Sequence, residues 1–136
     1  MNFNNEMRVL IASDDSKFVK TLVDMVKSCG HKVCGFAFNG MGAIRAYHEK
    51  RPDVVLIDYS MSPMDGATVS SKIVSTYPYA KIVLMSDFLD AQEQRLLNCG
   101  ALMVEQKPID NYHLREILEQ INSGCDSMSE DTQRIS

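Results

Sequence analysis

Asp53-Val54-Val55-Leu56-Ile57-Asp58 sets four apolar residues in unbroken succession between two acids. A strand with one wet face alternates apolar and polar residues. A run without alternation needs apolar cover on both faces, the condition of a strand in the middle of a parallel sheet. Working outward, Val9-Leu10-Ile11-Ala12 reads as a preceding strand, and Val33-Cys34-Gly35-Phe36-Ala37 as a second, weaker one. Lys81-Ile82-Val83-Leu84-Met85 and Gly100-Ala101-Leu102-Met103-Val104 follow as the fourth and fifth. Between them lie helical patterns: Phe18, Val19, Leu22, Val23 and Val26 up to Cys29-Gly30, then Asn39-Gly40 through Ala43, Ile44 and Tyr47 to Arg51-Pro52, then Val69, Ile73 and Val74 to Tyr77-Pro78. A fourth helix is expected over roughly residues 89–98, with a thin apolar stripe of Leu89, Leu96 and Leu97. Leu114, Ile117, Leu118 and Ile121 make the stripe of the last helix. Strands alternating with helices predict an α/β fold with a parallel sheet and helices on both faces.

A chain of 136 residues suits one domain with a substantial core. Residues 1–122 are expected to form it, and 123–136, mostly small or polar with Met128 and Ile135 the large apolar exceptions, to be a flexible tail or linker. No internal repeat is visible. The net charge of −4 argues against broad attraction to nucleic acid or an acidic membrane. No apolar run reaches the ~18 residues of a membrane helix, and Met1 to Arg8 lacks the basic start and apolar stretch of a signal peptide, so a cytoplasmic location is expected. Cys29, Cys34, Cys99 and Cys125 form no CxxC pair; they read as reduced, partly buried thiols rather than zinc ligands or a disulfide framework. His31, His48 and His113 are scattered and expected at the surface, away from the acids.

Asp14, Asp15, Asp58, Ser86 and Lys107 each stand where a buried strand should end, and a parallel sheet gathers such ends at one edge. Two like charges ~4 Å apart at an effective dielectric of ~20 repel by about 4 kcal/mol, so three clustered acids call for a cation. Mg2+ prefers oxygen ligands, uses few carboxylates and is often completed by phosphate. With Lys107 it would balance the three acids, leaving a site able to accept a phosphoryl group, to which Ser86 could donate a hydrogen bond. Aspartate is itself a nucleophile toward phosphorus, forming an aspartyl phosphate. Singly, each residue has a plainer role: Asp15-Ser16 could cap the first helix, Asp58 could open a turn, and Lys107 could be a surface lysine.

Over about residues 7 to 122 the chain resembles the receiver domain of a two-component response regulator. The likeness is carried by Asp14-Asp15 after the first strand, the DVVLID strand ending at Asp58, Met61, Met64, Asp65 and Gly66 in the following loop, Ser86, Gly100-Ala101 leading to Lys107-Pro108, and Ala37-Phe38-Asn39-Gly40 with Ala43-Ile44. The resemblance implies a doubly wound five-stranded parallel sheet, order 2-1-3-4-5, of flavodoxin-like type. It implies phosphorylation of Asp58 by a histidine kinase or phosphotransfer protein. Asp15, Asp58 and the backbone carbonyl of Ser60 would ligate Mg2+, and Asp14 would act through metal-bound water. Lys107 would pair with the acid and then with phosphoryl oxygens, Ser86 would move toward the phosphate, and the bond before Pro108 would be cis. The chain itself would be a signalling phosphoacceptor rather than an enzyme, passing its signal to a downstream protein or a fused output domain. A homodimer could form on the face of the fourth helix, fifth strand and last helix.

Four positions depart from the family pattern. Val104 stands where an aromatic switch residue is usual, Asp87 where a small residue follows Ser86, Pro63 comes one position late after Ser62, and Glu105 puts a charge in the last strand. These features leave a phosphorylation-independent interaction module of the same fold as the alternative. A haloacid-type phosphatase would need a second Asp two residues after the nucleophile, where Ser60 stands. An acidic first loop would repel flavin phosphate, and nucleotide-binding GxxxxGK[ST] or GxGxxG loops are absent.

Overall fold

A computed structural model describes residues 6–87 and 98–124. In chain order they form β1 (Arg8–Ala12), α1 (Ser16–Ser28), β2 (Lys32–Ala37), α2 (Gly40–Lys50), β3 (Val54–Asp58), α3 (Gly66–Thr76), β4 (Ile82–Ser86), β5 (Met103–Gln106) and α4 (Asn111–Asn122). The sheet order is β2-β1-β3-β4-β5 and every pairing is parallel, as the resemblance implied. The helix expected over 89–98 lies outside the described residues except for Asn98, which stands in a turn, and the tail beyond Gly124 lies outside them as well.

All five residues of β3 are buried, and they divide between two cores. Val54 and Leu56 pack with Val9, Ile11, Leu22, Val26, Leu114 and Leu118 on the side of α1 and α4. Val55 and Ile57 pack with Leu10, Ala43, Val69 and Ile73 on the side of α2 and α3. Successive strand side chains point to opposite faces, so the stretch covered on both, Val54 to Ile57, must be apolar without a break.

Helix starts follow local chemistry. Asp15, Asn39, Asp65 and Asp110 are the N-caps of α1 to α4, each accepting from backbone N–H groups of the first turn. Gly66 opens α3 against the end of β3. A Cβ there would lie 2.5 Å from the Asp58 carbonyl oxygen and 2.8 Å from both the Leu84 side chain and the Tyr59 Cα, so only glycine permits this approach.

The fifth strand departs from expectation. Gly100-Ala101-Leu102 precedes it rather than opening it: Gly100 turns at φ +85, Leu102 is exposed, and pairing runs from Val83↔Met103 to Ser86↔Gln106. The β4 ladder sets these limits, and it carries the strand through Glu105, whose carboxylate lies 3.1 Å from His113 Nε2 on α4. His48 is exposed, and His31 and His113 are half buried at the surface. His31 Nδ1 accepts from the Met7 N–H at 3.0 Å, and burial pushes its imidazole below 6.5, against the opposing pull of Glu6 and Glu119. Cys29 and Cys34 are free thiols, both pushed up first of all by burial. The bonds before Pro63 and Pro108 are cis. Among the described residues, no helix is long and apolar enough to cross a membrane.

Candidate functional site

Asp58 is the last residue of the central strand and only 2% exposed. A carboxylate so placed must find donors or a counter-charge. It finds both. Oδ1 accepts from Lys107 Nζ at 2.9 Å and from the Ser60 N–H at 3.2 Å, while Oδ2 accepts from the Ser13 hydroxyl at 2.8 Å. These partners come from the loops after β5, β3 and β1, so the sheet edge does bring distant stretches together.

Lys107 is delivered by the end of the sheet. Its N–H donates to the Ser86 carbonyl at 2.8 Å, continuing the β4–β5 ladder by one residue, and its stem is largely covered. The ammonium lies 4.7 Å from the centroid of the Phe18 ring, a cation–π arrangement on the α1 side. Asp87 Oδ2 stands 3.7 Å from the same ammonium. Lys107 is therefore shared between a buried acid and a half-exposed one.

Of the five residues expected to converge, Asp58, Ser86 and Lys107 meet at the ends of neighbouring strands, with Ser86 1% exposed as the last residue of β4. The acids after β1 are arranged otherwise. Asp15 Oδ1 accepts from the N–H groups of Lys17 and Phe18 at 3.0 and 3.2 Å, so its carboxylate serves as the α1 cap. Asp14 is exposed. Among the described residues, no three acidic, histidine or cysteine side chains are gathered as a metal-binding group. The physical reason is register. Ala12 pairs with Ile57, which brings the next residue, Ser13, against Asp58 and leaves the acid pair one and two residues farther along the loop.

Ser13 is the member of the site that sequence reading missed. It is fully buried, its N–H donates to the Ala37 carbonyl, and its hydroxyl accepts from the Asp15 N–H at 3.1 Å. Only the β1–β3 register, which pairs Ala12 with Ile57, reveals it.

The donor chemistry fits magnesium: Asp14, Asp15 and Asp58 offer carboxylate oxygen, and the Ser60 carbonyl adds another.

Residues 9–119 match the family model described as response regulator receiver domain. Chemotaxis protein CheY of Thermotoga maritima is 32% identical over 117 residues, which cover 85% of this chain and 97% of that protein. A protein-glutamate methylesterase/protein-glutamine glutaminase of Hahella chejuensis is 34% identical over 105 residues; the match takes in 75% of this chain but spans only 30% of that relative's length. Among solved structures, a CheX–CheY complex with BeF3 and Mg2+ from Borrelia burgdorferi superposes with a TM-score of 0.75 at 29% identity, covering 86% of this chain and 87% of that one.

Proposed function

This chain belongs to the response regulator receiver domain family, of chemotaxis type, and from that membership we propose that Asp58 is its phosphoacceptor, loaded from a phosphohistidine on a sensor kinase or phosphotransfer protein. The observation that carries the reading is the buried 2.9 Å pair between Asp58 Oδ1 and Lys107 Nζ, made across two strand ends. A carboxylate oxygen of Asp58 attacks phosphorus, the bond from phosphorus to the donor imidazole nitrogen breaks, and that nitrogen keeps the electron pair and takes up a proton. Lys107 holds the acid in place beforehand and neutralises phosphoryl oxygens as they arrive. Ser86, buried beside them, offers a hydroxyl to one of those oxygens.

Asp14, Asp15, Asp58 and the Ser60 carbonyl would hold Mg2+, which when bound supplies charge neutralisation for the incoming phosphoryl group. For Asp15 this requires the carboxylate to serve the metal as well as, or instead of, the α1 cap. The chain is read as a signalling phosphoacceptor working in the cytoplasm, its output passed to a downstream protein or to further sequence fused to it. The large share of the methylesterase not spanned by this chain is an example of the second arrangement. The complete set of Asp58, Lys107 and Ser86 favours this reading over a phosphorylation-independent module. β5 and α4, with the fourth helix expected from the sequence, whose residues 89–97 lie outside the described ones, are the proposed contact face. A dimer formed there would sediment at twice the mass with beryllofluoride and Mg2+; unchanged mass rejects it.

The decisive experiment is labelling by a small phosphodonor in Mg2+. Asp58→Ala should abolish it, and full labelling of that variant would refute the assignment.

A further inference from the structure

The Ser13 hydroxyl has one proton, and the contacts fix where it points. The Asp15 N–H donates to the oxygen at 3.1 Å, so the proton is directed to Asp58 Oδ2 at 2.8 Å. Oδ1 is already taken by Lys107 and the Ser60 N–H. Oδ2 is therefore the oxygen that faces the loop bearing Asp14 and Asp15, and a cation joining Asp58 to those acids must reach it. A hydroxyl proton aimed at that oxygen presents positive charge where the cation would sit.

Building on the phosphoacceptor reading, we propose that Ser13 opposes metal binding at Asp58 and raises the Mg2+ concentration the site requires. The Ser13 bridge ties Asp58 to the backbone at Asp15, whose carboxylate meanwhile caps α1. Binding a cation disrupts that arrangement: the hydroxyl must rotate away or share Oδ2, and the 13–15 loop must turn its acids inward. Ser13 is 0% exposed, so water cannot easily replace the bond that is given up. No covalent step is involved; the competition is between a proton donor and a cation for one lone-pair direction.

The test is calorimetric titration of the intact chain with Mg2+ alone, run beside Ser13→Ala and Ser13→Cys. Cysteine keeps nearly the same volume with a far weaker donor, so it decides the matter should the alanine variant fold poorly. Both variants should bind about tenfold more tightly, equivalent at about 1.4 kcal/mol per tenfold to one modest hydrogen bond to a charged group. The amide signal of Ser60, whose N–H donates to Oδ1, should shift at correspondingly lower Mg2+. Equal or weaker affinity in the variants, with the unaltered protein binding Mg2+ and labelled on Asp58, overturns the role of Ser13 alone. Failure of the unaltered protein to bind millimolar Mg2+ overturns both this inference and the phosphoacceptor reading.

Discussion

Removing the Lys107 ammonium would leave Asp58 buried with two neutral donors, Ser13 and the Ser60 N–H. Loss of one partner from a fully buried pair costs about 3–5 kcal/mol. Here the surviving donors and the 15% exposure of the lysine side chain reduce it, and Lys107→Ala should cost about 1–3 kcal/mol by urea unfolding. Phosphodonor labelling should fall with it. Asp87 acts in the opposite sense. Its carboxylate competes for Lys107 at 3.7 Å and adds negative charge beside an arriving phosphoryl group. Asp87→Ala should therefore speed labelling by roughly two- to tenfold at low salt, an advantage that shrinks as ionic strength rises and exposed charges are screened. A variant no faster at low salt would show that Asp87 is electrostatically idle. Asp58 and Lys107 could be singled out in the sequence because each ends a run of strand residues. Ser13 could not, since a serine before an acid pair carries no pattern and matters only through its pairing partner.

At the scale of single elements, Asp15 has two possible duties, and substitution separates them. Asp15→Asn keeps a capping oxygen for the Lys17 and Phe18 N–H groups and should unfold within a few tenths of a kcal/mol of the unaltered protein, whereas Asp15→Ala should lose about 1 kcal/mol. If Asp15 also serves the cation, the asparagine variant will bind Mg2+ more weakly despite its intact stability. Equal Mg2+ affinity would confine Asp15 to the cap. Gly66 joins α3 to the site, because a Cβ there would stand 2.5 Å from the carbonyl oxygen of Asp58 itself. Gly66→Ala should destabilise by about 1–3 kcal/mol in thermal or urea unfolding, since backbone atoms cannot yield to a new methyl group. β3 was readable because double cover forces Val54 to Ile57 all to be apolar. β5 was misplaced by about three residues, because its limits come from the ladder with β4 and the positive φ of Gly100, neither of which shows in local apolarity.

For the whole molecule, stability should carry a mark of His31, which joins the end of α1 to the chain entering β1 through the Met7 N–H. Folding holds its imidazole below 6.5, chiefly by desolvation, so the unfolded chain takes up the proton first. Its contribution is complete above the unfolded value and is lost as pH falls from about 6.5 toward the lower folded value, beneath which it levels off. Urea midpoints at pH 7.5 and 5.5 should accordingly differ more for the unaltered protein than for His31→Gln, a comparison that cancels the other titrating groups. Identical pH dependence would remove His31 from the account. The order of elements, the doubly covered central strand and the residues at the strand ends were all written in local patterns, because periodicity and apolar runs follow from which faces must be dry. Which oxygen of Asp58 meets which donor was not, nor that a serine, rather than an acid, lies against it. Those depend on the register between strands β1 and β3, 45 residues apart at the Ser13–Asp58 bond, and register is set by packing across the whole sheet.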